Sequence, residues 1–119
     1  MEEEGDNKET IAALKELRIQ FHLNIALVQL RAENYHDAVK SASNALELDL
    51  SDKDCAKAYY RRGQAYAKIK DDKLAIEDLK KAAELTPDDA GVLHELEASR
   101  RRVRERREKE RKAYAKMFS

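Results

Sequence analysis

The sequence predicts an all-α fold made of repeated helix-turn-helix units and ending in a long helix. Composition is the first reason. Of 119 residues, 40% are charged, Gly occurs three times, Pro once and Trp never, and the dominant Ala, Leu, Glu, Lys and Arg are helix formers. The second reason is the lack of alternating β-branched runs that would mark strands. The third is self-similarity. "NALELDL", Asn44 to Leu50, returns as "KAAELTP", Lys81 to Pro87, after 37 residues. The same offset carries Ala26 onto Gly63, Ala38 onto Ala75 and Ala45 onto Ala82. Periods of this size belong to stacked helical repeats.

Taken in order, the pattern predicts helices over about 8–31, 35–48, 54–69, 72–85 and 88–116. The acidic start "MEEEGDN" reads as a disordered leader over 1–9, followed by one repeat over 10–52, a second over 53–89, and a capping, basic helix over 90–119. Asp71 and Asp72 can cap the fourth helix. Thr86 before Pro87 predicts an N-cap with proline in the first turn of the fifth. The extra residues of the long first period are placed in the loop "SDK", Ser51 to Lys53.

The second unit carries Tyr59, Arg62, Gly63 and Tyr66, then Ala75 and Leu79, then Pro87. This resembles the tetratricopeptide pattern of W-x₂-L-G-x₂-Y, A-x₃-F and P, with Arg62 in place of the usual Leu. The first unit carries His22, Ile25, Ala26 and Gln29, then Ala38, Ala42 and Leu50, so it keeps the small residues and loses the aromatics and the proline. The resemblance covers roughly residues 10–90 and implies an α-α superhelix. Gly63 and Ala75, like Ala26 and Ala38, are expected where paired helices cross closely. Tyr59 and Tyr66 flank that gap, and close packing offsets a mid-helix Gly cost of about 1 kcal/mol. The last helix reads as a further first helix in which Glu97 replaces the small residue, a polar end to the stack.

Charge is balanced overall but unevenly spread. Residues 1–50 hold five Lys/Arg against ten Asp/Glu, whereas 87–119 hold ten against seven. A balanced chain without a groove-reading motif or stacking aromatics beside its cations gives no case for nucleic acid. The apolar runs are too short to span a bilayer. A single cysteine, Cys55, suits a reducing compartment, and the expected location is cytoplasmic, with the nucleus also open.

First helices of stacked repeats line the concave side. Lys57 and Arg61 stand one turn apart there, away from the packing face of Tyr59, Gly63 and Tyr66. Gln20 and Asn24 hold the equivalent sites in the first unit. This set of an ammonium, a guanidinium and amides can donate hydrogen bonds to carboxylates. An ordinary solvated face is the competing reading. Three segments, "HLNIALVQLRAENYHDAV", "AKAYYRRGQAY" and "EKERKAYAKMF", together resemble the C-terminal domain of the large immunophilins, peptidyl-prolyl isomerases with a tetratricopeptide tail. The "YAKMF" ending is nearer to the cyclophilin-type members than to the FK506-binding type. The resemblance implies a co-chaperone whose dicarboxylate clamp holds the acidic peptide Met-Glu-Glu-Val-Asp that ends the ninety-kilodalton heat-shock chaperone. Asn24 matches the clamp's second-repeat Asn, and Lys57 and Arg61 its third-repeat Lys and Arg. Nothing matches the first repeat, which brings a further Lys and Asn, nor the isomerase domain, so the chain reads as a truncation without isomerase activity.

The segment "RRRVRERREKERK", Arg100 to Lys112, reads as a solvated helix end with ion pairs such as Glu105 with Lys109. Val103, Tyr114, Met117 and Phe118 are sparse anchors for a calmodulin-type partner, a role the immunophilin resemblance also raises. His22, His36 and His94 have no metal-ligand spacing, and no nucleophile or phosphate-loop motif occurs, so neither a metal nor another cofactor is expected. Ile11, Leu14, Phe21, Ile25 and Val28 form an apolar stripe on the first helix. Left uncovered, it predicts a homodimer or helix-swapped oligomer, a structural alternative to peptide docking.

Overall fold

A computed structural model describes the backbone of residues 2–119 and the side chains of residues 7–119. Five helices follow one another: α1 (Glu2–Arg31), α2 (Tyr35–Leu46), α3 (Asp52–Lys68), α4 (Asp72–Leu85) and α5 (Ala90–Met117). No strand occurs among the described residues. Helix α1 reaches back to Glu2, so most of the expected disordered leader is helical; Met1 lies outside the described residues. Glu is a good helix former and no proline interrupts the segment, so nothing in it stops the helix near residue 8.

The repeat is visible in individual hydrogen bonds. At the end of α1, the amides of Ala32, Glu33 and Asn34 donate to the carbonyls of Val28, Leu30 and Gln29. At the end of α3, Ile69, Lys70 and Asp71 donate to Ala65, Ala67 and Tyr66, each 37 residues on. Glu33 and Lys70 both take left-handed backbone, with φ of 63° and 66°. These are Schellman-type ends built without glycine. Asp71 then caps α4, its carboxylate accepting from the Leu74 amide, while Asn34 makes no side-chain cap for α2.

Two further boundaries differ from expectation. Ser51 caps α3 through its hydroxyl, which accepts from the Asp54 amide, so Asp52 and Lys53 join the helix instead of the loop. Thr86 closes α4 rather than opening α5: its hydroxyl donates to the Ala82 carbonyl at 2.9 Å. A residue before proline is pushed out of helical backbone. Asp89 caps α5 instead, accepting from the amides of Gly91 and Val92.

Helices α1, α3 and α5 form one row, in which α1 meets α3 and α3 meets α5. Helices α2 and α4 form the outer row and do not meet each other. A stack whose one row is in contact and the other is splayed must curve, and the contacting row lies inside. The core is dominated by alanine. Ala26, Ala38, Ala42, Ala45, Ala58, Ala65, Ala75 and Ala82 are fully buried, and the largest fully buried side chains are Leu23, Leu79 and Val92. Gly63 is needed for the α3–α4 crossing: a Cβ there would sit 2.8 Å from Leu79 Cγ and 3.4 Å from the Ala75 carbonyl oxygen.

Helix α5 buries Val92, Leu96 and Ser99. Its anchoring is ionic as well. Asp72, buried at the start of α4, accepts from Arg102 Nε at 3.1 Å and Arg106 Nη2 at 2.9 Å. Thus Asp72 does not cap α4, and two cations of the basic segment are structural. Glu97 is exposed and pairs with Arg104. The expected Glu105–Lys109 pair does not form; Glu108 pairs with Arg111 instead. Exposed pairs contribute so little, about 0–1 kcal/mol, that spacing alone does not order them. Val103 is half-buried, whereas Tyr114, Met117 and Phe118 are exposed at the helix end, Tyr114 and Phe118 with ring centroids 4.9 Å apart.

Candidate functional site: the inner groove

The inner groove is framed by α1 and α3. Arg61 crosses it, donating from Nη1 to the Leu23 carbonyl at 2.6 Å. That contact brings the guanidinium to the residue preceding Asn24, which is exposed. Lys57 stands one turn earlier on α3, half-buried. Neither Lys57 nor Arg61 has an ion-pair partner among the described residues. Burial pulls the Arg61 guanidinium below its ordinary pKa, and repulsion from Arg31 adds to this, with Asp54 opposing. A partly desolvated cation in a field of like charge is stabilised by an anion brought beside it.

Gln20 has a different placement. Its amide donates to Glu16 Oε1 at 3.0 Å and to the two Asp54 carboxylate oxygens at 3.4 and 3.5 Å. It therefore ties α1 to α3 within an acidic end of the groove. At the other end, a concavity of about 660 Å³ opens between α1, α3 and α5. It begins one turn beyond Asn24 and Arg61, at Leu27 and Gln64, and includes neither Lys57 nor Arg61.

The polar tie across the second helix pair was not expected from the sequence. Arg62 donates from Nε and Nη2 to both oxygens of Asp78, at 2.7 and 2.8 Å, and from Nη1 to Ser43 Oγ at 3.2 Å. Its guanidinium carbon also lies 5.7 and 5.8 Å from the Tyr59 and Tyr66 ring centroids. The Asp78 side chain is only 4% exposed, and its hydrogen bonds hold the Arg62 pKa above the ordinary range. The signal was the departure from Leu at position 62, and an Asp at 78 on the face that packs. In the first pair Ser41, the counterpart of Asp78, makes a neutral tie instead, donating to Oε1 of Gln29, the counterpart of Tyr66, at 2.6 Å.

Among the described residues no three His, Cys, Asp or Glu side chains are placed to hold a metal. His22 is half-buried, with the Phe21 ring 5.7 Å away. Among the described residues no helix is long and apolar enough to cross a membrane.

The tetratricopeptide repeat family profile matches residues 23–90, the span from late α1 to the start of α5. A peptidyl-prolyl cis-trans isomerase D of Eremothecium gossypii is 42% identical over 109 residues, which is 92% of this chain and 30% of that protein. A peptidyl-prolyl cis-trans isomerase D of Kluyveromyces lactis is 37% identical over 113 residues, 94% of this chain and 30% of that protein. The chain thus spans about a third of the length of these curated relatives, in agreement with the immunophilin resemblance drawn from the sequence. The crossed helix pairs, the 37-residue hydrogen-bond repeat and the profile match together place the chain in the tetratricopeptide repeat family.

Proposed function

We propose that this chain is the chaperone-docking part of a peptidyl-prolyl isomerase and that its inner groove holds the acidic C-terminal peptide of the ninety-kilodalton heat-shock chaperone. Asn24, Lys57 and Arg61 are the proposed contacts to the terminal carboxylates. The observation that supports the reading is a pair of cations: Lys57 and Arg61 stand half-buried on one helix, Arg61 donates to the Leu23 carbonyl, and neither is in an ion pair among the described residues. A partly desolvated cation with no carboxylate beside it is stabilised by an anion, so the site favours an anionic ligand. The isomerase activity named in the relatives is assigned to none of these residues. A reducing, cytosolic setting fits the lone Cys55.

Asn24, Lys57 and Arg61 are three of the five donors that the clamp resemblance implies. Hydrogen bonds to charged groups contribute about 1.5–3 kcal/mol each. Calorimetry with a peptide ending Glu-Glu-Val-Asp tests this. The free acid is expected to bind and the C-terminal amide to lose the interaction, and affinity is expected to fall with added salt. Equal heats for acid and amide contradict the reading.

A second reading rests on α1. Ile11, Leu14, Leu17, Phe21 and Val28 are exposed, each by more than half, on the side opposite the buried Ile19, Leu23 and Ala26. Ile25 leaves the expected stripe, being half-buried, and Leu17 joins it. A helix that is apolar on two opposite sides is built to be covered on both, which favours self-association of the chain as it stands.

A further inference from the structure

Two helix ends stand clear of the packed body. From residue 7 to residue 18 of α1 every side chain is exposed, and Ile19 is the first to be buried. From Arg104 to the end of the chain every side chain is exposed as well. Turns of three to five residues join successive helices, so each helix runs antiparallel to the next and α1, α3 and α5 share one direction. The molecule is 81 Å long. The 30 residues of α1 account for only about 45 Å of this, at about 1.5 Å per residue. The start of α1 and the end of α5 therefore project from opposite ends.

Each free end is apolar along one face. On α1 the face is Ile11, Leu14 and Phe21, each exposed by more than half, with Arg18 between them. On α5 the packing face of Val92, Leu96 and Ser99 continues at the same spacing through Val103 and Glu110 to Tyr114 and Met117. These last two are exposed by two thirds or more. The two ends carry opposite charge. Residues 2–16 hold six Asp/Glu against two Lys/Arg, and residues 104–116 hold seven Lys/Arg against three Glu. Neither Arg18 nor Glu110 is in an ion pair among the described residues. The two faces also match in step. With the helices antiparallel and Arg18 opposite Glu110, Leu14 falls opposite Tyr114 and Ile11 opposite Met117, because side chains three and four apart share a face. Phe21 then meets Arg107, a cation that can lie on its ring.

We infer that the α1 stripe is covered by the free end of α5 from a second copy of this chain. This rests on the self-association reading above and names the surface that meets α1. A two-fold axis lets each copy give its α5 end and receive the other's, so both stripes are covered and the assembly closes as a dimer. Parallel docking would leave one α1 and one α5 uncovered and would continue into an open chain.

The test is sedimentation equilibrium of the whole chain and of variants at exposed positions, with melting curves to confirm that each is folded. The parent is expected to reach twice the monomer mass, and Tyr114→Glu to remove association as fully as Leu14→Glu. Arg18→Glu and Glu110→Arg are each expected to weaken the dimer about twofold to twentyfold, since the pair is made twice. The double variant Arg18→Glu/Glu110→Arg is expected to recover the parent's affinity. If Leu14→Glu dissociates the protein and Tyr114→Glu does not, another surface covers α1; the inference is overturned and the self-association reading stands. Loss with Tyr114→Glu alone, or a monomeric parent, overturns both. A double variant weaker than either single one, or a mass that climbs past two copies, overturns the reciprocal pairing.

Discussion

In the first helix pair Ser41 meets Gln29 across the crossing; in the second Asp78, the counterpart of Ser41, meets Arg62, the counterpart of Ile25. In the first pair the small crossing residue is Ala26, and in the second it is Gly63. Asn34 leaves α2 without a side-chain cap, whereas Asp71 caps α4. The backbones nevertheless repeat to the level of single hydrogen bonds at both turns. Backbone geometry is thus set by a few small residues and a shared turn, and side-chain joints are free to diverge. The divergence follows surroundings. The second pair is covered by α2 on one side and α5 on the other, so its tie can be a buried charge pair. The first pair has an open outer side on α1, and its tie is neutral.

The largest effect is expected at Arg62. Arg62→Ala strands a nearly fully buried Asp78 and should cost about 3–5 kcal/mol, read as a large drop in the denaturation midpoint. Adding Asp78→Ala should recover much of that loss. Ser41→Ala in the first pair should cost only about 1 kcal/mol, as for a neutral hydrogen bond. Similar losses at the two sites would break the comparison.

Gly63→Leu comes next. Overpacking against Leu79 should destabilise by about 1–3 kcal/mol. A variant that melts like the parent would mean that the crossing has slack.

Much of this was legible in the sequence. The 37-residue offset predicted five helices, and the pattern of small residues marked the crossings. What stayed hidden depends on geometry that spacing does not encode. Arg62 read only as a departure, because its partner Asp78 lies 16 residues away on another helix. Asp72 read as a cap, because Arg102 and Arg106 reach it from 30 and 34 residues along the chain. Thr86 read as the start of α5, although the two aspartates after Pro87 offered a better cap. Gln20 read as a groove donor; Glu16 one turn before it was a visible partner, but Asp54 reaches its amide from another helix 34 residues along the chain.

The open side of the first pair predicts association that depends on concentration. Leu14→Glu should shift sedimentation toward the monomer without lowering the melting temperature, because Leu14 is exposed. A parent chain that remains monomeric at high concentration would contradict the second reading. The smallest effect is expected at the shared turn. Non-glycine residues in left-handed backbone cost about 1 kcal/mol, so Glu33→Gly and Lys70→Gly should each stabilise by a fraction of that amount, and by similar amounts. Unequal responses would show that the two turns differ despite their common hydrogen bonds.

The central claim is that the groove's anion site draws its charge from the second pair. Asn24 and Arg61 are equivalent positions of the two units, 37 residues apart, which makes them a matched test. The direct measurement is calorimetric titration of the Glu-Glu-Val-Asp peptide into the parent, Asn24→Ala and Arg61→Ala, with melting curves to confirm that each remains folded. Arg61→Ala should reduce affinity about tenfold to a hundredfold, as for a charged hydrogen bond, and Asn24→Ala by clearly less. Undiminished binding to a folded Arg61→Ala protein would contradict the account.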